Sequence, residues 1–399
     1  MWADVACISG LMHASYGAEL NFIVDILLLE SLIPEAMAWL EARHSLQYRP
    51  QLVSDERALR HSTGQVRAIV VPNQVVINAE FLDFSPKLEA VARLQIGTDN
   101  IDLESCRERD IKVLQARSAN VRANAEFLVG SLILLYRQGL LSALLAKVKA
   151  VHAATTAPAS AANDSHAPAA SALPPVPDRA TKVPVGREIN GSVIGLLGIG
   201  PAASALAGLL NGMGARVVGY DPALHHSSPL WQQMRVQPVS LLDMMSTADA
   251  VSVQMLYASR YKGFINERIL AACKPHQLWV SIARSALFDS TAMLEALQDG
   301  RIGAWLTDSA DESRDAAMPL LRTLPNFYAT QRIGSLTRES RQRASWYMAH
   351  RLHDVLSPGD ATTTNSDMMG LPGDNAPSSW IDSGLLSPAA RQAGTASKT

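Results

Sequence analysis

The sequence predicts an α/β protein with two doubly wound parallel sheets, each covered by helices. Apolar runs of strand length alternate with helical patterns along most of the chain. At 192–221 an apolar run, a glycine turn, a small-residue helix and a second apolar run follow one another directly. The chain has 399 residues, of which 48% are hydrophobic, so it can form two domains with separate cores.

Composition limits the partners and the compartment. A formal net charge of −2 argues against nucleic acid or an anionic membrane surface as the main partner. The three cysteines, Cys7, Cys106 and Cys273, are widely spaced and suggest neither a disulfide framework nor a metal site. The N-terminus is a poor signal peptide, and the apolar stretch at 127–136 is too short to span a bilayer. We therefore expect a cytoplasmic protein with no metal, nucleic-acid or membrane partner.

The first part of the chain reads as a small α/β domain behind a leader without periodicity. The predicted strands are FIVDILLLE, LQYRP, VRAIVVP and IKVLQA. The predicted helices are PEAMAWLEARH, residues 55–61 and LESCRERD, and PKLEAVARLQIG is predicted as a helix that runs into a strand. This alternation is typical of a parallel sheet.

A long apolar helix at 121–149 leads into a segment rich in Ala, Pro, Ser and Thr, which we expect to be a flexible insertion. A second α/β series follows, with strands predicted at MRVQPV, AVSVQML, QLWVSIA, IGAWLTD and FYATQ, and a helix from 337 to 356 closes it. The predicted organisation is a leader (1–20), an outer substrate domain (21–120 with 336–356), a cofactor domain (121–335, with the insertion at 152–185) and a disordered tail (357–399).

The glycine turn has the features of a dinucleotide site. Gly198 permits the sharp turn, Gly200 lets the backbone approach a pyrophosphate, and Ala203 takes the third position of the G-x-G-x-x-G pattern. The helix that begins near Pro201 and Ala202 directs N–H groups and a partial positive charge at the phosphates.

Asp221 ends the second apolar run, eighteen residues after Ala203. A carboxylate there accepts hydrogen bonds from a ribose diol and repels a 2′-phosphate, so the sequence favours NAD over NADP. The alternative is a similar sheet with another ligand or none, such as a methyltransferase.

Five segments in order resemble the D-isomer-specific 2-hydroxyacid dehydrogenases, the family of phosphoglycerate, glycerate and formate dehydrogenases. They are RLQIGTDNIDLES, NVRANAEFLVGSLILLYR, GREINGSVIGLLGIG, SIARSALFDSTAMLEAL and TQRIGSLTRES. The resemblance covers residues 23–356 apart from the insertion. It implies two Rossmann-like domains with the outer one completed by the C-terminal helix, NAD as cofactor, a small 2-hydroxy or 2-oxo acid as substrate, and a homodimer built on the cofactor domains.

The resemblance also implies roles for individual residues. Arg284 matches the arginine that grips the substrate carboxylate, a task that suits its planar fork. Backbone N–H groups around Ile96 and Gly97 would bind the other end of that carboxylate. Asp308 is expected to face the nicotinamide amide, and Ala283 is expected among the cofactor-binding residues.

The chain departs from the family pattern at the proton donor. Arg332 stands where the family has its catalytic histidine, and arginine stays protonated at neutral pH. Ser313 holds the place of the family's glutamate, so the neighbouring Glu312 could serve only through a shifted loop, or could form an ion pair with Arg332. Gln95 replaces a glycine of the substrate loop, and Gln254 replaces a common histidine.

Two functions follow from these features. The first is an NAD-dependent dehydrogenase in which water or a displaced acid supplies the proton, because losing a general acid typically costs about 10²–10⁴-fold in rate. The second is a non-catalytic NAD(H)-binding regulatory or sensor protein. Family resemblance places the dehydrogenase first, and the match over the outer domain argues against a methyltransferase.

Overall fold

The structure is a computed structural model that describes residues 24–95, 97, 100–116, 118–138, 185–309 and 317–359. These residues divide into two compact units. The first contains those up to Gln115 and those from Met348 onward, and the second contains those between Ala116 and Tyr347. The boundaries expected from the sequence were at 120/121 and 335/336.

The first unit contains a five-stranded parallel sheet with the order β2-β1-β3-β4-β5. Every residue of β1, β3 and β4 is buried, as expected where helices cover both faces of a sheet. The elements in chain order are β1 (Ile26–Leu28), α1 (Pro34–Glu41), β2 (Leu46–Tyr48), α2 (Glu56–Ser62), β3 (Ala68–Val70), α3 (Ala79–Asp83), β4 (Ala90–Arg93), α4 (Leu103–Glu108) and β5 (Lys112–Gln115).

The helix predicted at the start of PKLEAVARLQIG is wrong. The helix of this region is α3, which lies earlier and which the sequence analysis missed. The side chain of Asn78 caps it by accepting a hydrogen bond from the N–H of Phe81 at 2.9 Å. The segment at 85–89 forms a turn instead, in which the N–H of Leu88 bonds to the carbonyl of Ser85. Too few residues remain there for a helix before β4 begins.

The second unit contains a seven-stranded parallel sheet with the order β12-β11-β10-β9-β6-β7-β8. Its elements are α5 (Val121–Tyr136), β6 (Val193–Leu197), α6 (Pro201–Gly212), β7 (Arg216–Tyr220), α7 (Pro229–Gln233), β8 (Gln237–Pro238), α8 (Leu241–Thr247), β9 (Ala250–Val253), α9 (Glu267–Leu270), β10 (Gln277–Ser281), α10 (Ser290–Gln298), β11 (Ile302–Thr307), α11 (Met318–Leu321) and β12 (Phe327–Ala329). The last helix, α12 (Arg338–Leu356), begins in the second unit, and its residues from Met348 onward belong to the first. Two parallel sheets with helices confirm the α/β class expected from the sequence.

Two sequence expectations about the second unit need correction. Helix α5 ends at Tyr136, and the part of the predicted helix from 139 to 149 lies outside the described residues. The short helices α7 and α11 were not predicted, because four or five residues give no helical periodicity. The predicted leader, the insertion up to residue 184 and the tail from residue 360 lie outside the described residues.

The topology creates a switch point in the second sheet. Strand β6 pairs with β7 on one side and with β9 on the other. The connections that leave β6 and β9 therefore diverge from one place at the carboxyl ends of the strands, where open α/β sheets bind their ligands.

Asp249 ties three segments of the second unit together. Its Oδ2 accepts a hydrogen bond from the N–H of Val193 at 2.8 Å. Its Oδ1 accepts from Lys274 Nζ at 2.6 Å and from Arg187 Nη2 at 3.1 Å. Burial by itself raises the pKa of this carboxyl, but the three donors outweigh that effect and the pKa is lowered. The carboxylate is thus held charged at the start of β9.

Within the first unit, a pair of buried histidines links the residues before β2 to the last turns of α12. His44 Nε2 and His353 Nδ1 are 2.9 Å apart, so one ring donates a hydrogen bond to the other. Burial, and then the neighbouring His353, lowers the pKa of His44 from its ordinary value. Nearby, Arg67 Nη2 donates to the carbonyl of Leu356 at 3.1 Å.

Among the helices of the described ranges, none has both the length and the apolar composition that a membrane-spanning helix needs.

Candidate cofactor and substrate site

The turn after β6 requires glycine at its first position. Gly198 has a φ of +93°, in the region that favours glycine. A Cβ atom there would lie 2.5 Å from the backbone nitrogen of Met255, which belongs to the segment after β9. Only glycine allows the two segments to approach this closely at the switch point.

Gly200 opens the start of α6. Its backbone is extended and it takes the N-cap position, where no side chain caps the helix. A Cβ atom on Gly200 would meet nothing within 4 Å. Pro201 occupies the first turn and lacks an N–H, so Ala202 carries the first backbone donor after it. The turn therefore has open space beside uncapped donors, as an approaching phosphate requires.

Asp221 follows β7 and closes the glycine turn. Its Oδ2 accepts a hydrogen bond from the N–H of Ile199 at 2.7 Å, and its Oδ1 accepts from the N–H of Ala223 at 2.8 Å. A carboxylate offers about four acceptor positions, so two of them remain for ligand hydroxyls. The turn, the helix start and this acid together fit a dinucleotide, with phosphates at α6 and a ribose at Asp221.

The segment after β9 places Gln254 at the same switch point. Its Nε2 donates to the hydroxyl of Ser252 at 3.2 Å. Its Oε1 is buried and has no hydrogen-bond partner among the described residues. The sequence analysis noted this glutamine only as a departure from the family, because its environment depends on how two separate segments fold together.

The carboxyl end of β10 positions Arg284. The N–H of Ala283, which is buried, donates to the hydroxyl of Ser281 at 3.0 Å and turns the chain away from the strand. Arg284 is half-buried and occupies the N-cap position of a short 3₁₀ helix at Ser285–Leu287. Arg284 therefore lies at the same carboxyl edge of the sheet as the glycine turn.

Asp308 directly follows β11 and is buried. Its Oδ1 accepts hydrogen bonds from Thr330 Oγ1 at 2.7 Å and from the N–H of Ile333 at 2.8 Å. Its Oδ2 accepts from the N–H of Gly334 at 2.8 Å. The carboxylate therefore holds the segment that follows β12, and its expected contact with nicotinamide stays a prediction.

Arg332 lies within that segment. Its φ of +54° is in the left-handed region, which is uncommon for residues other than glycine. Gly334 closes the segment, since a Cβ atom there would lie 2.9 Å from both Asp308 Oδ2 and the Phe127 ring. The sequence did not lead us to assign roles to Thr330 and Gly334. Their positions two residues before and two residues after Arg332 were the only sequence signal for such roles.

The loop after β4, in the first unit, contains the residues expected to bind the substrate carboxylate. Gly97 has a φ of +124°, and its carbonyl accepts a hydrogen bond from Arg93 Nη1 at 2.5 Å. Arg93 also donates to Asn100 Oδ1 at 2.7 Å and to Asn73 Oδ1 at 2.5 Å. Ile96 lies outside the described residues, so the buried Arg93 is the anchor of the described part of this loop.

Glu312, expected near the proton donor, also lies outside the described residues. Within the described part of the chain, histidine, cysteine, aspartate and glutamate side chains form no group of three or more suited to holding a metal ion.

The site can be compared with known proteins. The model of the family "D-isomer specific 2-hydroxyacid dehydrogenase, NAD binding domain" matches residues 173–334. The (S)-sulfolactate dehydrogenase of Chromohalobacter salexigens is 30% identical over 332 residues, which are 83% of this chain and 98% of that protein. The D-3-phosphoglycerate dehydrogenase of Mycobacterium tuberculosis is 26% identical over 83% of this chain, which spans only 57% of that longer protein.

Solved structures share the fold. D-2-hydroxyisocaproate dehydrogenase matches 84% of this chain and 98% of its own with a TM-score of 0.67 and 20% identity. The apo D-lactate dehydrogenase of Escherichia coli matches 84% and 96% with a TM-score of 0.62 and 20% identity. The family model and the sulfolactate dehydrogenase show more than a shared fold. Together with the dinucleotide-fitting turn, they show that this chain belongs to the D-isomer-specific 2-hydroxyacid dehydrogenases, a family of oxidoreductases whose cofactor is NAD.

Proposed function

We propose that the protein is an NAD-dependent dehydrogenase that interconverts a small 2-oxo acid and the corresponding 2-hydroxy acid. The observation that carries this proposal is the position of Arg284 at the same carboxyl edge of the sheet as the glycine turn. Bound NADH supplies the hydride for such a reduction.

The cofactor is held by the switch-point segments. The turn and the start of α6 bind the pyrophosphate through backbone donors, and Asp221 binds the adenosine ribose. The residues that we assign to the cofactor are Gly198, Gly200, Pro201, Ala202, Asp221, Ala283 and Asp308.

Arg284 binds the substrate. Its planar guanidinium donates two parallel hydrogen bonds, one to the carboxylate and one to the adjacent ketone oxygen. The cation draws electron density from the ketone and makes its carbon a better acceptor. The backbone N–H groups of Ile96 and Gly97 are proposed to bind the carboxylate as well.

Arg332 is proposed to stand at the position of the family's catalytic histidine. A guanidinium does not release its proton at neutral pH, so Arg332 cannot serve as general acid and base. We assign the proton to water or to Glu312. This substitution predicts a turnover that is slower by about 10²–10⁴-fold than with an intact donor.

The test is NADH oxidation with a panel of 2-oxo acids. The panel includes 3-sulfopyruvate, because one relative is named a sulfolactate dehydrogenase. Wild type is compared with Arg332→His, which restores a titratable donor, and with Arg284→Gln, which removes the carboxylate-binding cation. Slow wild-type turnover that Arg284→Gln abolishes supports the proposal. Silence from wild type and Arg332→His alike contradicts it.

A second function rests on Arg332 itself. If this residue prevents proton transfer, the chain is a non-catalytic NAD(H)-binding regulatory or sensor protein. NADH binding without turnover in wild type, and turnover in Arg332→His, would favour this alternative.

We propose further that the protein is a cytoplasmic homodimer. The support is the family resemblance, in which cofactor domains form the dimer. Sedimentation equilibrium of the full chain tests the assembly, and a mass of one chain, 42.9 kDa, would contradict it.

A further inference from the structure

Three neighbouring strands of the second sheet end at one edge. Strand β11 pairs in parallel with β10 on one side and with β12 on the other. Arg284 lies three residues after the end of β10, Asp308 one residue after β11, and Arg332 three residues after β12. Two arginines therefore flank a single acid along this edge.

The acid between them is engaged by the protein itself. Both carboxylate oxygens of Asp308 accept hydrogen bonds, two of them from the backbone N–H groups of Ile333 and Gly334. Successive backbone N–H groups beside a residue in the left-handed region form a concave anion-binding arrangement, and here the carboxylate fills it. The negative charge of Asp308 is therefore stabilised by backbone N–H groups of the protein.

The same contacts fix the backbone of Arg332. The hydroxyl of Thr330 and the N–H groups of Ile333 and Gly334 bond to one buried carboxylate on either side of Arg332. Gly334 packs against this carboxylate and the Phe127 ring with no room for a Cβ atom. A rigid segment with a strained backbone at its centre is typical of a functional position.

One strand, β11, separates the two strands that lead to the arginines. Neighbouring strands lie roughly 4.8 Å apart, so the backbones of β10 and β12 are roughly 10 Å apart. Two arginine side chains can span such a distance from opposite sides and meet a short molecule that carries an anion at each end.

We infer that Arg332 is a second anion-binding residue beside Arg284, and that the site selects 2-oxo acids with a second anionic group over acids with a single carboxylate. Arg284 binds the carboxylate next to the ketone, and Arg332 binds the carboxylate, sulfonate or phosphate at the far end of the molecule. This inference rests on the proposed function, because it assumes a 2-oxo acid at Arg284. It gives Arg332 a role that needs no proton exchange, which arginine performs well at neutral pH.

The experiment measures binding without turnover. The protein is saturated with NAD⁺, and calorimetry gives the dissociation constants of pyruvate, oxaloacetate, 3-sulfopyruvate and 3-phosphohydroxypyruvate. We expect at least one dianionic acid to bind about tenfold or more tightly than pyruvate, since a charge-assisted hydrogen bond contributes enough for that ratio. The identity of the preferred acid distinguishes carboxylate, sulfonate and phosphate.

Arg332→Gln should reduce this preference to less than about twofold, because the anion at the far end loses its charged partner. Arg338→Gln is the matched control, because it removes the same charge from an arginine whose side chain is 91% exposed at the start of α12. The control should keep the wild-type ratio. If both variants lower the ratio equally, net charge rather than Arg332 causes the preference, and the inference is wrong.

Wild type alone also decides the question if Arg332→Gln does not fold. Equal binding of pyruvate and all three dianions would overturn the inference, as would the absence of binding by every acid. Fluorescence titration with NADH distinguishes failure of the proposed function from failure of the inference about Arg332. A protein that does not bind NADH contradicts the proposed function, whereas NADH binding without dianion preference contradicts only the role of Arg332.

Discussion

Replacing Asp308 by asparagine is expected to lower the free energy of unfolding of the second unit by about 2 kcal/mol. The two oxygens of the carboxylate each accept one backbone N–H, that of Ile333 on Oδ1 and that of Gly334 on Oδ2. Asparagine has one oxygen, so in either orientation its amide nitrogen faces a backbone N–H and two donors oppose each other. A lost hydrogen bond to a charged group contributes about 1.5–3 kcal/mol, and the abandoned N–H of Gly334 is buried.

The assay is urea unfolding followed by circular dichroism, with a parallel thermal scan. For a unit of this size, about 2 kcal/mol corresponds to a fall in melting temperature of about 4–8 °C. The matched control is Asp289→Asn. Asp289 also accepts two backbone N–H groups, those of Thr291 and Ala292, but it does so with Oδ1 alone. Asparagine keeps that oxygen and is a good helix cap, so the control should lose little stability.

The two variants separate hydrogen-bond geometry from the loss of a negative charge. The free energies of unfolding lost in Asp308→Asn and Asp289→Asn are compared directly. If they differ by less than about 0.5 kcal/mol, the two separate hydrogen bonds of the Asp308 carboxylate do not hold the segment around Arg332 in place.

Three further outcomes are expected. Gly198→Ala should weaken NADH binding by roughly tenfold or more in a fluorescence titration, because of its strained φ and the short Cβ contact, whereas Gly208→Ala, with open space inside α6, should leave binding unchanged. The free energy of unfolding should fall as the pH is lowered from about 7.5 to 5.5 in urea titrations. Neutral His44 stabilises the fold fully above pH 6.5, and this contribution is lost as the pH falls through the lowered pKa of the residue. His44→Leu should flatten this pH profile. Asp249→Asn should cost about 2 kcal/mol in the same assay at pH 7, and an unchanged midpoint would contradict its role between β6 and β9.

The parts of the site that lie close together along the chain could be predicted. The glycine turn, α6 and Asp221 lie within the thirty residues of one β-α-β unit at 192–221, so their spacing along the chain is enough to predict a shared site. The grip of Asp308 on the segment around Arg332 could not be predicted, because it depends on the pairing of β11 with β12 and on a left-handed residue that arginine does not signal.

Short secondary-structure elements could not be predicted from the sequence for a related reason. Helix α3 has five residues and depends on the cap at Asn78, whereas the more strongly patterned stretch that begins at Pro86 turns directly into β4. The partner of His44 lies 309 residues away in α12, so no local pattern could announce that pair. Contacts over such distances come from the tertiary fold.

The position of Asp221 has a consequence for attempts to change the coenzyme. The carboxylate that we propose to disfavour a 2′-phosphate also accepts the N–H of Ile199, which lies inside the turn proposed to bind the pyrophosphate. Removing the acid to admit NADP would therefore loosen the phosphate grip shared by both coenzymes. A successful exchange would need a replacement side chain, such as serine, that still accepts the Ile199 hydrogen bond, so coenzyme choice and turn rigidity would have to change together.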